Sequence, residues 1–102
     1  MNKNPTGTVN FAKAIADETR QKIMDLCCCR YLNVGEIVEG LGVTQPTVSH
    51  HLKILKSAGL VDSVRKGKEV YYTLKQDKIF EQCCQLAEDF APEHPLTLID
   101  KE

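Results

Sequence analysis

Five cysteines fall into two knots, Cys27-Cys28-Cys29 and Cys83-Cys84. Grouped thiols support two chemistries: thiolates ligate arsenite or a soft metal ion, and a pair of thiols oxidises to a bridge. In a chain with no visible signal peptide, such cysteines suit reactive or metal-binding roles better than structural disulfides. Their spacing is not that of a zinc ribbon. On a helical wheel Cys27 faces inward, where a thiol serves as a small inert hydrophobe. Cys28 and Cys29 face outward at a helix C-terminus, where the dipole disfavours a thiolate and Arg30 offsets that effect. Three roles stay open for the sulfurs: a soft-ion site, a redox bridge and core packing.

The second chemistry-bearing stretch is Gly42–Leu60, GVTQPTVSHHLKILKSAGL. It predicts a helix with Thr44 as hydroxyl cap, Pro46 in the first turn and Gly59 as the left-handed stop. On a wheel of ~100° per residue, Val48, Leu52 and Leu55 share the inner side and His51 flanks it. Pro46, Thr47, Ser49, His50 and Lys53 occupy the outer side, with no long apolar member. Short polar groups, an imidazole and a lysine let such a helix approach base edges and phosphates closely.

The elements that must position these residues follow from periodicity. Met1 to Thr8 reads as a loose arm. Val9 to Asp17 has helical spacing at Val9, Ala12, Ile15 and Ala16, and Asp17 opens a second helix that fades near Arg30 to Leu32. Within it Ile23, Leu26 and Cys27 face inward, while Arg20 and Lys22 point largely outward. Asn33 with Glu36 makes a capping box for a third helix, with Val34, Ile37, Val38 and Leu41 inward. Gly42-Val43-Thr44 is then a tight turn into the fourth helix, which makes a helix-turn-helix unit. Two β-rich runs, Leu60 to Arg65 and Glu69 to Leu74, flank Lys66-Gly67-Lys68, a hairpin with a charged tip. An isolated hairpin is marginal, so it must lean on the helices. The last helix runs from Gln76 to Ala91 and carries two apolar stripes. One is Ile79, Cys83, Leu86 and Phe90; the other is Phe80, Cys84, Ala87 and Ala91. One stripe suffices for the chain's own core, so the other predicts burial by a second copy, helped by the first helix.

Composition bounds the function. A chain of 102 residues, 42% hydrophobic and 26% charged, is one small globular domain. No apolar run approaches the ~20 residues that span a bilayer, and no targeting or lipidation signal opens the chain, so a cytoplasmic protein without membrane association is expected. The net charge of −1 hides an asymmetry. Gln45 to Lys75 holds six basic residues against two acidic ones, and Gln76 onward holds seven acids against two lysines. A locally basic middle suits binding to DNA phosphate. An enzyme is not expected: there is no glycine-rich phosphate loop and no Ser/His/Asp arrangement, and the adjacent histidines sit on the polar helix. A winged helix that binds protein is the other class, and salt-insensitive association would favour it.

The order of elements resembles the winged-helix repressors of the ArsR/SmtB family over about Val9 to Phe90. The residues that carry the resemblance are Ala16-Asp17-Glu18-Thr19-Arg20, Thr44-Gln45-Pro46-Thr47-Val48-Ser49-His50-His51-Leu52, Leu55-Lys56-Ser57-Ala58-Gly59-Leu60-Val61 and Arg65-Lys66-Gly67-Lys68-Glu69-Val70-Tyr71-Tyr72. It implies a mostly α fold with a small β-hairpin wing, a winged helix-turn-helix of order α-α-α-α-β-β-α. The expected division is an arm at 1–8, a DNA-binding and dimerisation domain at 9–91 and a flexible tail at 92–102. It also implies a homodimeric transcriptional repressor, joined through its first and last helices, that binds double-stranded operator DNA and leaves it when an inducer arrives. No cofactor is required for DNA binding.

Thr44, Gln45, Thr47, Ser49, His50 and Lys53 are the expected DNA-facing residues of the reading helix, and Arg65, Lys66 and Lys68 those of the wing. His51 matches the family's internal histidine. The family's arsenic site, a Cys-x-Cys at the start of the third helix, reads Asn33-Val34-Gly35 here and is absent. Its zinc site on the last helix meets Asp77, Lys78 and Asp89, without a histidine. What remains is Cys27, Cys28, Cys29, Cys83 and Cys84 as a site for arsenite or a soft ion such as Cd, Zn, Pb or Hg. The alternative is a redox or persulfide switch that bridges two of them.

Overall fold

The computed structural model describes residues 5–94. Helices α1 (Pro5–Ile15) and α2 (Glu18–Leu26) are followed by a short strand β1 (Leu32–Asn33). Helices α3 (Val34–Leu41) and α4 (Gln45–Ser57), the hairpin β2 (Val61–Lys66) and β3 (Glu69–Leu74), and helix α5 (Gln76–Phe90) complete the chain. This is the expected winged helix-turn-helix with one addition. β1 pairs antiparallel with β3 through Leu32↔Tyr72 and Asn33↔Tyr71, so the wing is a three-stranded sheet of order β1-β3-β2. Two residues are too few for an alternating pattern, which is why the expected order lacked this strand.

Local chemistry sets the boundaries. Asp17 caps α2 by accepting from the Arg20 backbone N–H at 3.0 Å. The capping box of α3 has both its bonds, Glu36 N–H to Asn33 Oδ1 at 2.8 Å and Asn33 N–H to Glu36 Oε1 at 2.9 Å. Gly42, at φ 73°, then turns the chain, its N–H reaching the Val38 carbonyl at 2.8 Å. α4 ends in a paired closure: Gly59, at φ 76°, donates to the Lys56 carbonyl at 3.0 Å, and Leu60 to that of Leu55 at 2.9 Å.

Two boundaries in particular differ from the sequence expectation. α1 begins at Pro5 rather than Val9, because proline's fixed φ suits a first helical turn and polar Thr6 to Thr8 hid the start. α2 stops at Leu26, so Cys27, Cys28 and Cys29 lie in the turn after it and not on the helix. Arg30 occupies that end, its Nε donating to the Leu26 carbonyl at 2.9 Å. Of the expected arm and tail, residues 1–4 and 95–102 lie outside the described residues.

The core gathers Phe11 and Ala14 of α1, Ile23, Cys27, Ile37, then Val48, Leu52 and Leu55 of α4, with Leu60 and Val61. Two backbone bonds tie the wing to this core: Leu74 N–H to the Cys27 carbonyl at 3.0 Å, and Lys75 N–H to the Leu60 carbonyl at 2.8 Å. α5 packs through Ile79 and Leu86 yet has no fully buried residue. Among the described residues no helix is long and apolar enough to cross a membrane.

Candidate nucleic-acid interface and thiol sites

Burial of Val48, Leu52 and Leu55 to 2% exposure or less fixes the rotation of α4. Its other side is thereby open: Gln45, Ser49, His50 and Lys53 are exposed, and Thr47 is half-buried. Thr44 stands at the cap position, but its hydroxyl makes no capping bond. It shares a 2.9 Å hydrogen bond with the Thr47 hydroxyl instead, which corrects the expected cap. Pro46 sits in the first turn, where its missing N–H removes no helical bond.

His51 faces sideways into a polar latch that the sequence did not reveal. The Arg20 guanidinium donates to His51 Nδ1 at 3.0 Å, to the Ala14 carbonyl at 2.7 Å and to the Lys13 carbonyl at 3.3 Å. One cation thus ties the end of α1 to α2 and α4. Arg20 was expected to point outward; its place in the Ala16–Arg20 segment was the available signal. Because Nδ1 accepts here, the ring is neutral with its proton on Nε2. Burial holds the His51 pKa below the ordinary 6.5, against the opposing charge of Asp17.

The wing extends beside α4. Gly67 at φ 65° and Lys68 form the two-residue link between paired Lys66 and Glu69, the pattern of a type II′ turn. Arg65, Lys66 and Lys68 are exposed around it. Lys56 Nζ donates to Ser63 Oγ at 2.8 Å and so joins α4 to β2. The polar side of α4 and the basic wing tip are both solvent-facing.

The five cysteines separate into distinct settings. Cys27 is buried in the core, which pushes its thiol up to about 11 and keeps it protonated. Cys28 and Cys29 lie 3.5 Å apart at sulfur. The hydrogen bond they share, and then the neighbouring sulfur's charge, raise the Cys28 pKa above its ordinary value. Gln76 Nε2 donates to the Cys28 carbonyl at 2.7 Å and so holds this turn against the start of α5. Cys28 and Cys83 line one mainly apolar cavity of about 460 Å³ between α1, α2, β3 and α5, together with Phe11, Ile15, Met24, Leu74 and Ile79 and with the polar Gln21 and Asp25. Cys84, one residue on, does not line it. Among the described residues no three His, Cys, Asp or Glu side chains converge as a metal site, so the five thiols do not form a single cluster within one chain.

Residues 17–63 match a family model described as a bacterial regulatory protein of the arsR family. The transcriptional repressor SdpR of Bacillus subtilis is 45% identical over 65 residues, which are 64% of this chain and 72% of that protein. The cadmium resistance transcriptional regulatory protein CadC of Lactococcus lactis is 40% identical over 76 residues, covering 68% of this chain and 59% of that one. Among solved structures, the homodimeric winged helix-turn-helix DNA-binding domain Mb0332 of Mycobacterium bovis, a possible ArsR-family transcriptional regulator, aligns with a TM-score of 0.70 at 31% identity. That alignment covers 87% of this chain and 84% of the Mb0332 fragment.

Proposed function

The chain belongs to the arsR family of bacterial regulatory proteins, and on that premise we propose that it is a homodimeric repressor released from its operator by oxidation of Cys28 and Cys83. DNA-binding transcriptional regulation, rather than catalysis, comes with the family. The observation that carries the DNA-binding face is the division of α4 into a fully buried Val48-Leu52-Leu55 side and an exposed Gln45-Ser49-His50-Lys53 side. Thr44 and Thr47 border that ridge, and Arg65, Lys66 and Lys68 of the wing reach backbone phosphate. Phe80 and Phe90 of α5, 59% and 79% exposed, and Val9 of α1, 47% exposed, support a dimer through α1 and α5. A two-fold axis there sets two α4 helices ~34–36 Å apart, one turn of DNA.

For the inducer, the shared cavity favours two thiols over three. Oxidation breaks two S–H bonds and forms one S–S bond. Two electrons and two protons pass to a peroxide, which leaves as water, or to a polysulfide, which leaves as hydrosulfide. A bridge from the turn after α2 to α5 pulls on the face proposed for the dimer and, through α2, on the Arg20 latch. A second inducer is arsenite or a soft ion such as Cd, Zn, Pb or Hg, which the CadC relative favours. With two thiols from one chain, a third ligand must come from the partner subunit, except for an ion content with two.

Gel-shift titration on operator and scrambled duplexes tests the interface. Gln45→Ala is expected to cost roughly five- to 150-fold on operator alone, and Lys66→Ala to weaken both duplexes alike. A uniform loss for Gln45→Ala overturns base reading. Cys28→Ser with Cys83→Ser is expected to bind DNA as the wild type does and to ignore polysulfide; release of the double variant by polysulfide overturns the bridge. Mass spectrometry after separate exposure to arsenite, Cd, Hg and polysulfide decides between the two inducers.

A further inference from the structure

On the side of α4 away from the wing, a groove of about 520 Å³ runs between α4 and α1. Asn10, Lys13, Arg20, His50, Lys53 and Ser57 give it its chemistry. We infer that this groove is a phosphodiester clamp that grips the DNA backbone alongside the strand facing α4. The inference rests on the DNA-binding role above and extends the interface to α1, which neither the reading helix nor the wing includes.

The lining is cationic without a counter-charge. Three permanent cations and an imidazole face it, and no carboxylate does. Among the described residues neither Lys13 nor Lys53 has an ion-pair partner; the two surface pairs are Lys22 with Glu18 and Lys78 with Glu81. Arg20 is fixed at the groove wall by two carbonyls and a neutral imidazole, and the Asp17 carboxylate offsets only part of its charge, leaving Lys13 and Lys53 as the cations without an ion-pair partner among the described residues. Asp17 caps α2 and is not part of the lining. An Asn amide and a Ser hydroxyl add neutral donors suited to phosphate oxygens.

Position selects the ligand. His50 and Lys53 belong both to the groove and to the exposed ridge of α4. A duplex seated on that ridge runs its sugar–phosphate strands along both flanks of the helix. The wing side already presents Lys56, Arg65, Lys66 and Lys68; the α1 side presents this groove. Asymmetric support, with the wing alone, leaves one strand ungripped. The latch adds a consequence, because Arg20 joins the groove to α2, the helix that leads to Cys28. Movement at the thiols therefore reaches a phosphate-binding group as well as the reading helix.

Lys13→Ala separates this groove from the proposed base-reading residues, since Lys13 is exposed, on α1 and remote from Gln45. Binding is measured by fluorescence anisotropy across a salt series, on an operator selected from random duplexes and on its scrambled form. Each phosphate that the variant no longer neutralises is expected to lower the log–log salt slope by about 0.9, equally on both duplexes. Lys22→Ala, a lysine on α2 outside the groove, keeps the wild-type slope. Neutral methylphosphonates placed singly along the site are expected to include one flanking position at which Lys13→Ala has no further effect. Wild-type slope and affinity for Lys13→Ala overturn the clamp while leaving the DNA-binding role intact. No salt-dependent binding by the wild type removes that role and the clamp with it. Sub-millimolar inorganic phosphate that shifts the Lys13 and Ser57 amide resonances, with an unchanged Lys13→Ala slope, assigns the groove to a free anion and also overturns the clamp.

Discussion

α4 and α5 are both amphipathic and of similar length, 13 and 15 residues, yet only one is finished within the chain. α4 buries Val48, Leu52 and Leu55 completely, whereas α5 has no fully buried residue and leaves Phe80 and Phe90 in solvent. A helix whose apolar side is sealed can present its polar side at a fixed angle, which is what groove reading demands. α5 is held only in part, packing on the core through Ile79 and Leu86 while its other apolar residues stay open. The same chain thus holds one helix still by its own core and leaves apolar surface open on another, the surface on which the proposed dimer rests.

The sharpest break of this contrast is at its centre. Leu55→Ala is expected to destabilise the fold by about 2–5 kcal/mol, since the site is enclosed and the lost methyls leave a cavity. Urea denaturation reads this directly; a loss under 1 kcal/mol denies that α4 is anchored by burial. Phe80→Ala is expected to behave oppositely. At 59% exposure its removal leaves the monomer's stability within about 0.5 kcal/mol, while dimer dissociation rises on the order of tenfold or more. Sedimentation equilibrium checks this, and an unchanged dimer constant shifts the interface away from α5.

The difference between the helices also explains what the sequence made legible. Periodicity named the inward side of α4 correctly, because Val48, Leu52 and Leu55 are sealed by the chain's own neighbours, and capping chemistry located Asn33, Gly42 and Gly59. The double stripe of α5 announced surplus apolar surface, which the exposure of Phe80 bears out. The stripe expected to serve the chain's own core, however, does so only through Ile79 and Leu86, with Cys83 and Phe90 exposed. Pairings between remote segments stayed hidden. Arg20 and His51 are 31 positions apart, and β1 meets β3 across about forty, so no local pattern encodes either pairing. The thiols show the same limit. Cys83 and Cys84 look equivalent in sequence, but α5's rotation puts only Cys83 in the cavity with Cys28. Helical spacing had also carried α2 through the cysteines, where the turn at Cys27 ends it.

The smallest effect concerns the polar latch between Arg20 and His51 that steadies α4. His51 accepts from Arg20 through Nδ1, and protonation there would set two donors face to face. Burial accordingly keeps its folded pKa below the ordinary 6.5. The unfolded chain therefore binds more protons between the two values, and stability rises with pH across that interval. The contribution is fully present above about pH 6.5 and is lost as pH falls through the folded pKa. Asp17 does not confuse the measurement: its carboxyl, held below the ordinary 3.8 chiefly by the Arg20 backbone N–H, titrates in a separate, more acid interval. His51→Gln supplies an acceptor for Arg20 that does not titrate. Urea midpoints of wild type and His51→Gln are expected to run parallel above pH 7 and to diverge toward pH 5, the wild type falling faster. Parallel curves throughout would mean that α4 is held by its apolar side alone and that the Arg20 bond adds nothing to its fixity.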